Sequence, residues 1–315
     1  MINTAFVFPG QGSQSIGMLS DFLPQYSIVS DVFHNASEAV GYDLWNLTQN
    51  GPEEKLNQTE HTQVAMLTAD VAVYQLMRQL GIPAPRLMAG HSLGEYAALV
   101  CANSLTLADA ARLVARRGQV MQNAIPLGVG AMAAVVGLTD EQVDDLCQQA
   151  SGADSKVTPA NYNAIGQVVV AGHTAAVERL IHLADEAGAR LAKVIPVSVP
   201  CHCPLLSDAA EIFAADLAAI DFKKPSVDVV SNVDLNIYQS ADQIRTKLKE
   251  QLYSPVRWVE TIQLFKNNGV DLVVESGPGK VLGGLIKRID RSLNTISVYD
   301  TISLDQVVEQ LHIPA

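Results

Sequence analysis

Short apolar runs alternate with amphipathic stretches along most of this chain, a rhythm that predicts an α/β fold with a largely parallel sheet. Ala5-Phe6-Val7-Phe8 reads as a buried strand, stopped by Pro9-Gly10 and a loop of Gly, Gln and Ser. Arg86 to Ala89 is a second short strand, and Val270 to Glu275 is a third, ended by Gly277-Pro278-Gly279. Helical periodicity covers about Thr62 to Leu80, Gly94 to Ala102 and Leu107 to Met121.

The middle of the chain has a different order. Ala131 to Gly137 is strand-like, Asp140 to Ala150 helical, Val157 to Tyr162 and Gln167 to Ala171 strand-like, Thr174 to Ala187 helical, and Arg190 to Val197 strand-like. That β-α-β-β-α-β sequence is the ferredoxin-like unit. Gly128 and Gly130 precede it and the Pro196 to Pro200 stretch follows. The expectation is therefore a discontinuous large domain, 1–127 and 198–315, interrupted by a small domain at 128–197.

Composition narrows the class. The 315 residues suffice for one large domain or two smaller ones at roughly 100–200 residues each. With 48% hydrophobic and 17% charged residues the chain can bury a core, which excludes a disordered tail or a collagen-like fibre. The net charge is −12, and no basic run is longer than Lys287-Arg288. Nucleic acid is excluded as the expected partner, because neutralising phosphates takes clustered Lys and Arg. An acidic protein would need a local basic patch.

Four cysteines, Cys101, Cys147, Cys201 and Cys203, are too few for a disulfide scaffold of this length. Cys201-His202-Cys203 has the wrong spacing for zinc and no second ligand pair, so no metal is expected. No apolar run approaches the roughly 18 residues that span a bilayer, and Met1-Ile2-Asn3-Thr4 has no basic leader character. The expectation is a soluble, cytoplasmic protein without a membrane partner.

The strongest chemical signal is Gly90-His91-Ser92-Leu93-Gly94, a G-x-S-x-G pattern between the strand at Arg86 to Ala89 and a helix-forming run. A sharp strand-turn-helix of this kind exposes a serine hydroxyl at the end of a strand. The helix N-terminus then offers backbone N–H groups and a positive dipole where an oxyanion forms. The plain alternative is an ordinary strand-to-helix turn with a serine in it. A serine needs a base. Of the seven histidines, His202 follows a strand-like run and a turn and comes after the serine in chain order; a solvent-facing loop histidine is the competing reading.

Thr106-Leu107-Ala108-Asp109 has the form of a helix start. On the helix that follows, Ala110, Leu113, Val114, Arg117 and Met121 share one face, so Arg117 interrupts an apolar stripe. An inward arginine must meet an anion. Either an internal Asp or Glu pairs with it, or it clamps a substrate carboxylate with its planar fork. The loop Pro9-Gly10-Gln11-Gly12-Ser13-Gln14 lacks a Walker lysine; following the first strand, it belongs at the serine's sheet edge, where it can add an oxyanion N–H.

Together these pieces resemble the malonyl-CoA:acyl carrier protein transacylases of bacterial type II fatty acid synthesis. The motifs are Phe8-Pro9-Gly10-Gln11-Gly12-Ser13-Gln14, Gly90-His91-Ser92-Leu93-Gly94-Glu95, Arg116-Arg117-Gly118, Asn161-Tyr162-Asn163 and Gly166-Gln167-Val168-Val169. Val199-Pro200-Cys201-His202, Gln251-Leu252-Tyr253-Ser254-Pro255-Val256 and Gly277-Pro278-Gly279-Lys280-Val281-Leu282 complete the set, in order across nearly the whole chain.

The resemblance implies an α/β-hydrolase-like large domain with a ferredoxin-like insert, and ping-pong transfer of malonyl from malonyl-CoA to the phosphopantetheine thiol of acyl carrier protein. It implies Ser92 as nucleophile, His202 as general base, and Arg117 on the malonyl carboxylate. Backbone N–H groups of Gln11 and Leu93 would hold the oxyanion. The Gln251 main-chain carbonyl would orient the histidine in place of an acid. Asn161 and Asn163 would either bind substrate or hold the loop between the domains. No cofactor is implied, since coenzyme A enters with the substrate and leaves as product. Cys201 stands where the family usually carries serine, a near-isosteric change that sets a thiol beside the site. For the acidic carrier, Lys280, Lys287 and Arg288 form the expected docking patch, with Arg190 and Lys193 as the second choice. Two rivals stand beside this: a serine esterase or thioesterase, which Arg117 disfavours, and a non-catalytic scaffold, which needs none of Ser92, His202 and Arg117.

Overall fold

A parallel sheet buried on both faces needs strands that are apolar throughout, because helices cover each side. In the computed structural model, which describes residues 2–126, 128–197 and 199–312, β1 (Thr4–Phe8) meets that demand with all five residues buried. It is the centre of a five-stranded sheet with β2 (Leu87–Gly90), β7 (Asp228–Val229), β8 (Leu272–Ser276) and β9 (Asn294–Val298), in the order β7-β2-β1-β8-β9. Every pairing is parallel. The coarse expectation of an α/β chain with a parallel sheet is met.

The register aligns the exits of the strands. Phe8 pairs with Gly90, and Val7 with Glu275, so the loops after β1, β2 and β8 leave from one edge. In open α/β sheets the carboxyl edge is where ligands bind. The long helix Thr59–Gln79 is buried over most of its length, and with the helix Leu107–Ala124 it forms much of the large core.

The second sheet is antiparallel and separate. It contains β3 (Gly130–Val136), β4 (Val157–Ala164), β5 (Gln167–His173) and β6 (Leu191–Val194), in the order β4-β5-β3-β6. Helices Asp140–Ala150 and Thr174–Glu186 lie between its strands in sequence, and Val143, Leu146, Val177 and Leu180 pack with Ala133, Val135, Val168 and Val170. The alternate residues Met132, Ala160, Val169 and Ala171 form a second small core with Cys203, as the two-residue period of strands requires. This second face looks toward the large unit.

β6 is shorter than the Arg190 to Val197 run expected from its pattern. Arg190 and Ile195 still donate backbone bonds to Val136 and Met132, but Pro196 has no N–H with which to continue the ladder. The domain-boundary residues Leu127 and Ser198, and the termini Met1 and 313–315, lie outside the described residues. The two units are tied together by a parallel bridge between Asn161 and Val256, with Tyr162 N–H donating to Val256 O and Val256 N–H to Ala160 O.

Candidate active site

β2 ends at Gly90 and the helix Gly94–Cys101 begins four residues later, so the chain must reverse within a very small space. A Cβ on Gly90 would lie 1.8 Å from the Gly94 carbonyl carbon, and one on Gly94 would lie 2.0 Å from Phe8 O. Only glycine fits at either position. Between them Ser92 adopts φ 53°, a left-handed conformation that costs a non-glycine residue about 1–3 kcal/mol. Asn232 braces the turn from below: its Nδ2 donates to Gly90 O at 2.7 Å, and its Oδ1 accepts the Ser92 N–H at 2.8 Å.

His202 also sits at positive φ, 59°, in the turn that follows Pro200. Its Nε2 is 2.7 Å from Ser92 Oγ, and its Nδ1 is 2.7 Å from the Gln251 main-chain carbonyl. A carbonyl can only accept, so Nδ1 carries the proton and Nε2 is the acceptor for the serine hydroxyl. Burial, with Arg117 nearby, holds His202 down at about 3 against the pull of the Gln251 carbonyl. The imidazole is therefore neutral and able to take a proton throughout the neutral range.

Arg117 lies on the buried face of the helix Leu107–Ala124, whose first turn Thr106 caps by accepting the Asp109 N–H at 3.0 Å. Arg112 and Arg116, on the other side, are exposed, whereas Arg117 is 1% exposed. Its Nη1 donates to Gln63 Oε1 at 2.9 Å, and its Nη2 to Gln251 Oε1 at 3.0 Å and Ser92 Oγ at 3.2 Å. Among the described residues no carboxylate lies within 4.0 Å of it, and its Nε has no partner. A buried cation with only neutral partners is costly, and here it faces a cavity beside the Ser92 hydroxyl.

That cavity, about 150 Å³, is lined by Ser92, His202, Arg117, Gln11 and Leu93 on its reacting side, and by Met132, Asn161 and Ile195 from the second unit. The Gln11 loop leaves β1 beside the elbow, where His91 N–H donates to Phe8 O at 3.0 Å. Leu93 occupies the N-cap of the helix Gly94–Cys101. Asn163 is held elsewhere: its Oδ1 is 2.8 Å from His91 Nε2, and the His91 ring rests against Trp258 with centroids 5.4 Å apart. Asn161, not Asn163, lines the cavity.

Cys201 also lines it, and burial pushes the thiol up to about 11 although Arg117 pulls the other way. It is protonated at neutral pH and correspondingly unreactive. Cys203 is buried behind it with its Sγ on Pro200 O, and His202 is committed to Ser92 and Gln251.

Three contributors were given no role from the sequence. Gln63 and Asn232 are isolated polar residues in otherwise unremarkable stretches. Glu95, the last residue of the elbow motif, is fully buried beneath it and accepts from Tyr238 Oη at 2.6 Å and Gln251 Nε2 at 2.5 Å. Burial pushes this carboxyl up to about 7, opposed by its hydrogen-bond donors and by Arg117.

Comparison with known proteins agrees along nearly the whole chain. The acyl transferase domain family matches residues 5–305. The malonyl CoA-acyl carrier protein transacylase of Escherichia coli K12 is 50% identical over 309 residues, covering 98% of this chain and 100% of the relative. The solved transacylase of Coxiella burnetii superposes with a TM-score of 0.97 at 48% identity, covering 98% of each chain. A malonyl-transacylase solved in complex with its type II PKS acyl-carrier protein superposes with a TM-score of 0.96 at 48% identity, covering 98% of this chain and 99% of that one.

Proposed function

This chain belongs to the acyl transferase domain family, and from that premise we infer that it is an enzyme, a malonyl-CoA:acyl carrier protein S-malonyltransferase that supplies fatty acid synthesis. The observation that carries the residue roles is the convergence on Ser92 Oγ of His202 Nε2, 2.7 Å away, and Arg117 Nη2, 3.2 Å away.

Ser92 Oγ attacks the malonyl thioester carbonyl while His202 Nε2 takes its proton. The tetrahedral intermediate collapses with cleavage of the C–S bond, and His202 returns the proton to the departing coenzyme A sulfur. Malonyl is then an ester on Ser92. In the second half the phosphopantetheine thiol gives its proton to His202 and attacks the ester carbonyl. The C–O bond breaks and Ser92 Oγ is reprotonated. The Gln251 carbonyl stabilises the imidazolium formed in each half, in place of a carboxylate. The N–H groups of Gln11 and Leu93 serve the oxyanion, the latter aided by the helix N-terminus behind it. Arg117 receives the malonyl carboxylate, the anion its own surroundings do not supply. Asn163 acts through His91, as a joint between the units. No cofactor takes part, because coenzyme A arrives as substrate and leaves as product.

The five-stranded unit is best read as α/β-hydrolase-like. The β-α-β-β-α-β order with strands arranged β4-β5-β3-β6 supports a ferredoxin-like insert. For the acidic carrier, Lys280, Lys287 and Arg288 are exposed at the two ends of the helix Val281–Ile289. Arg288 shares a hollow with Arg190, one of the two second-choice residues; the other, Lys193, is exposed on β6. A cytoplasmic location suits two water-borne substrates, and no described helix is long and apolar enough to cross a membrane.

The test is a three-way assay with malonyl-CoA in the presence and absence of holo carrier protein. Malonyl-carrier formed at the rate coenzyme A is released supports transfer. Free malonate released without carrier identifies a hydrolase, and neither product identifies a scaffold. Lys287→Glu with Arg288→Glu should raise the carrier KM and leave loading from malonyl-CoA unchanged; an unaltered carrier KM removes the patch.

A further inference from the structure

Among the described residues, Glu95 is the one carboxylate connected to Arg117 by hydrogen bonds through the side chain of Gln251. Every group that touches Glu95 is a donor: Tyr238 Oη–H at 2.6 Å, Gln251 Nε2–H at 2.5 Å, and the Asn232 backbone N–H at 3.4 Å from each carboxylate oxygen. In each of these contacts a Glu95 oxygen accepts, so Oε2 faces the N–H end of the Gln251 amide. Nε2 turns toward Glu95 and toward the Ser92 carbonyl, 3.1 Å away. Oε1 is thereby left to receive Arg117 Nη2. Arg117 has five N–H donors and no acceptor, so an inverted amide would set N–H against N–H.

The same residue works through its two ends. The Gln251 main chain takes the His202 Nδ1 proton, and its side chain takes Arg117. The Glu95 side chain touches neither the Ser92 hydroxyl nor the cavity, whose lining omits it; only its backbone N–H reaches the Ser92 carbonyl, at 3.1 Å. It controls only the side-chain end.

We propose that Glu95 is a positioning residue for acyl selectivity: as the acceptor for Gln251 Nε2 it locks the Gln251 amide with its oxygen toward Arg117, holding the guanidinium aligned on the acyl carboxylate. This rests on the assignment of Arg117 to that carboxylate. A carbonyl partner aligns the fork without occupying it as a directly paired carboxylate would. The lock therefore matters for a dicarboxylic acyl group and hardly at all for an acyl group without a carboxylate.

Two opposing effects follow from Glu95→Gln. The amide it introduces can face Gln251 with its own N–H, which favours the inverted Gln251 and misaligns Arg117. Removing a negative charge near Arg117 would by itself favour an anionic acyl group. Alignment of the guanidinium outweighs the lost charge.

The experiment measures Ser92 acylation by stopped-flow with malonyl-CoA and with acetyl-CoA, in the wild type, Glu95→Gln and Glu95→Asp, with melting temperatures recorded for all three. Wild-type acylation of Ser92 by malonyl-CoA first establishes the underlying reaction; its absence sinks the transferase reading and not only this inference. Glu95→Gln should lower the malonyl-to-acetyl ratio about tenfold, chiefly through the KM for malonyl-CoA, and Glu95→Asp, which keeps the acceptor, should restore at least half of that loss on a logarithmic scale. An unchanged or increased ratio in Glu95→Gln overturns the proposal. So does equal loss for the two acyl groups, which would mark a structural role. If Glu95→Gln does not fold, Glu95→Asp decides: a ratio within threefold of wild type supports the lock, and a ratio collapsed to unity overturns it.

Discussion

The two sheets of this molecule serve the same cavity in different ways. The parallel unit supplies Ser92, His202, Arg117, Gln251 and Glu95, each fixed by hydrogen bonds to partners distant in sequence. The antiparallel unit supplies Met132, Asn161 and Ile195 as a wall. The polar groups to which we assign the chemistry are over-determined: Ser92 sits in a strained turn held by Asn232, and His202 in another held by Leu252, whose carbonyl accepts its N–H at 3.0 Å. The wall contributes shape. The difference teaches that rate and shape selectivity are separable here, with substitutions in one unit expected to destroy turnover and substitutions in the other to redirect it.

Replacing the base gives the largest contrast. His202→Ala should slow Ser92 acylation by about 10²–10⁴-fold, the usual worth of general base catalysis. Rapid-quench measurement with malonyl-CoA checks it, and a loss below tenfold would break the assignment of chemistry to the parallel unit.

Arg117→Ala is next. Loss of a two-pronged charged contact should cost malonyl loading about 30–150-fold, with acetyl loading much less affected. It also bears on pH. The depressed His202 remains neutral and competent as pH falls from 8 to 6, so wild-type acetyl loading should stay flat across that interval. Removing Arg117 removes one of the two main causes that hold His202 down, so the acid limb of the variant should move upward. A wild-type limb near 6.5 would contradict the neutral buried imidazole.

A smaller effect is expected at the wall. Met132 is buried and lines the cavity from β3, so Met132→Ala should raise acceptance of methylmalonyl relative to malonyl by about 10-fold, the low end of the scale for one methyl group in an apolar pocket. Competition between the two thioesters measures it. A loss of all loading instead would show that the second unit does more than shape the cavity.

The smallest effect sharpens the comparison from within the parallel unit. Asp70, on the helix Thr59–Gln79, is fully buried with both carboxyl oxygens unpartnered, against the backbone of Gly277. Burial, reinforced by Glu275, raises it well above the ordinary carboxyl range. The folded state therefore binds its proton more tightly than the unfolded state, and its contribution to stability is lost as pH rises above the unfolded value. Asp70→Asn should raise the melting temperature at pH 8 by roughly 2–4 °C, with the gain shrinking toward pH 5. Glu95 has donors on both oxygens and Asp70 has none, although both lie in the same unit. An equal response of the variant at both pH values would remove the distinction.

The parts of this arrangement that were legible in the sequence are local. Gly90, Ser92 and Gly94 are three positions of one turn, Thr106 and Asp109 are one cap, and Arg117 stands out against the apolar positions of its own helix. β1 and β8 were legible because all their residues are apolar or buried on both faces. β7 has only two residues and β9 only Val298 buried, so neither carries a period. The helices Ser207–Ala218 and Ala241–Glu250 were not anticipated, though the Ser240 cap of the second is a signal that was available. The Glu95–Gln251–Arg117 chain was illegible for a physical reason: its members are 156 and 134 positions apart, joined only when the strand exits converge. Glu95 itself resembles a first-turn helix acid, the ordinary place for a carboxylate.

The central claim is that Ser92 carries the malonyl group between its two thiol partners. Intact-protein mass after brief mixing with malonyl-CoA, followed by peptide mapping, tests it most directly. The account predicts one malonyl increment, on the peptide containing Ser92, absent in Ser92→Ala and discharged by holo carrier protein. An increment on another residue, or transfer to the carrier with Ser92→Ala at the wild-type rate, would contradict it.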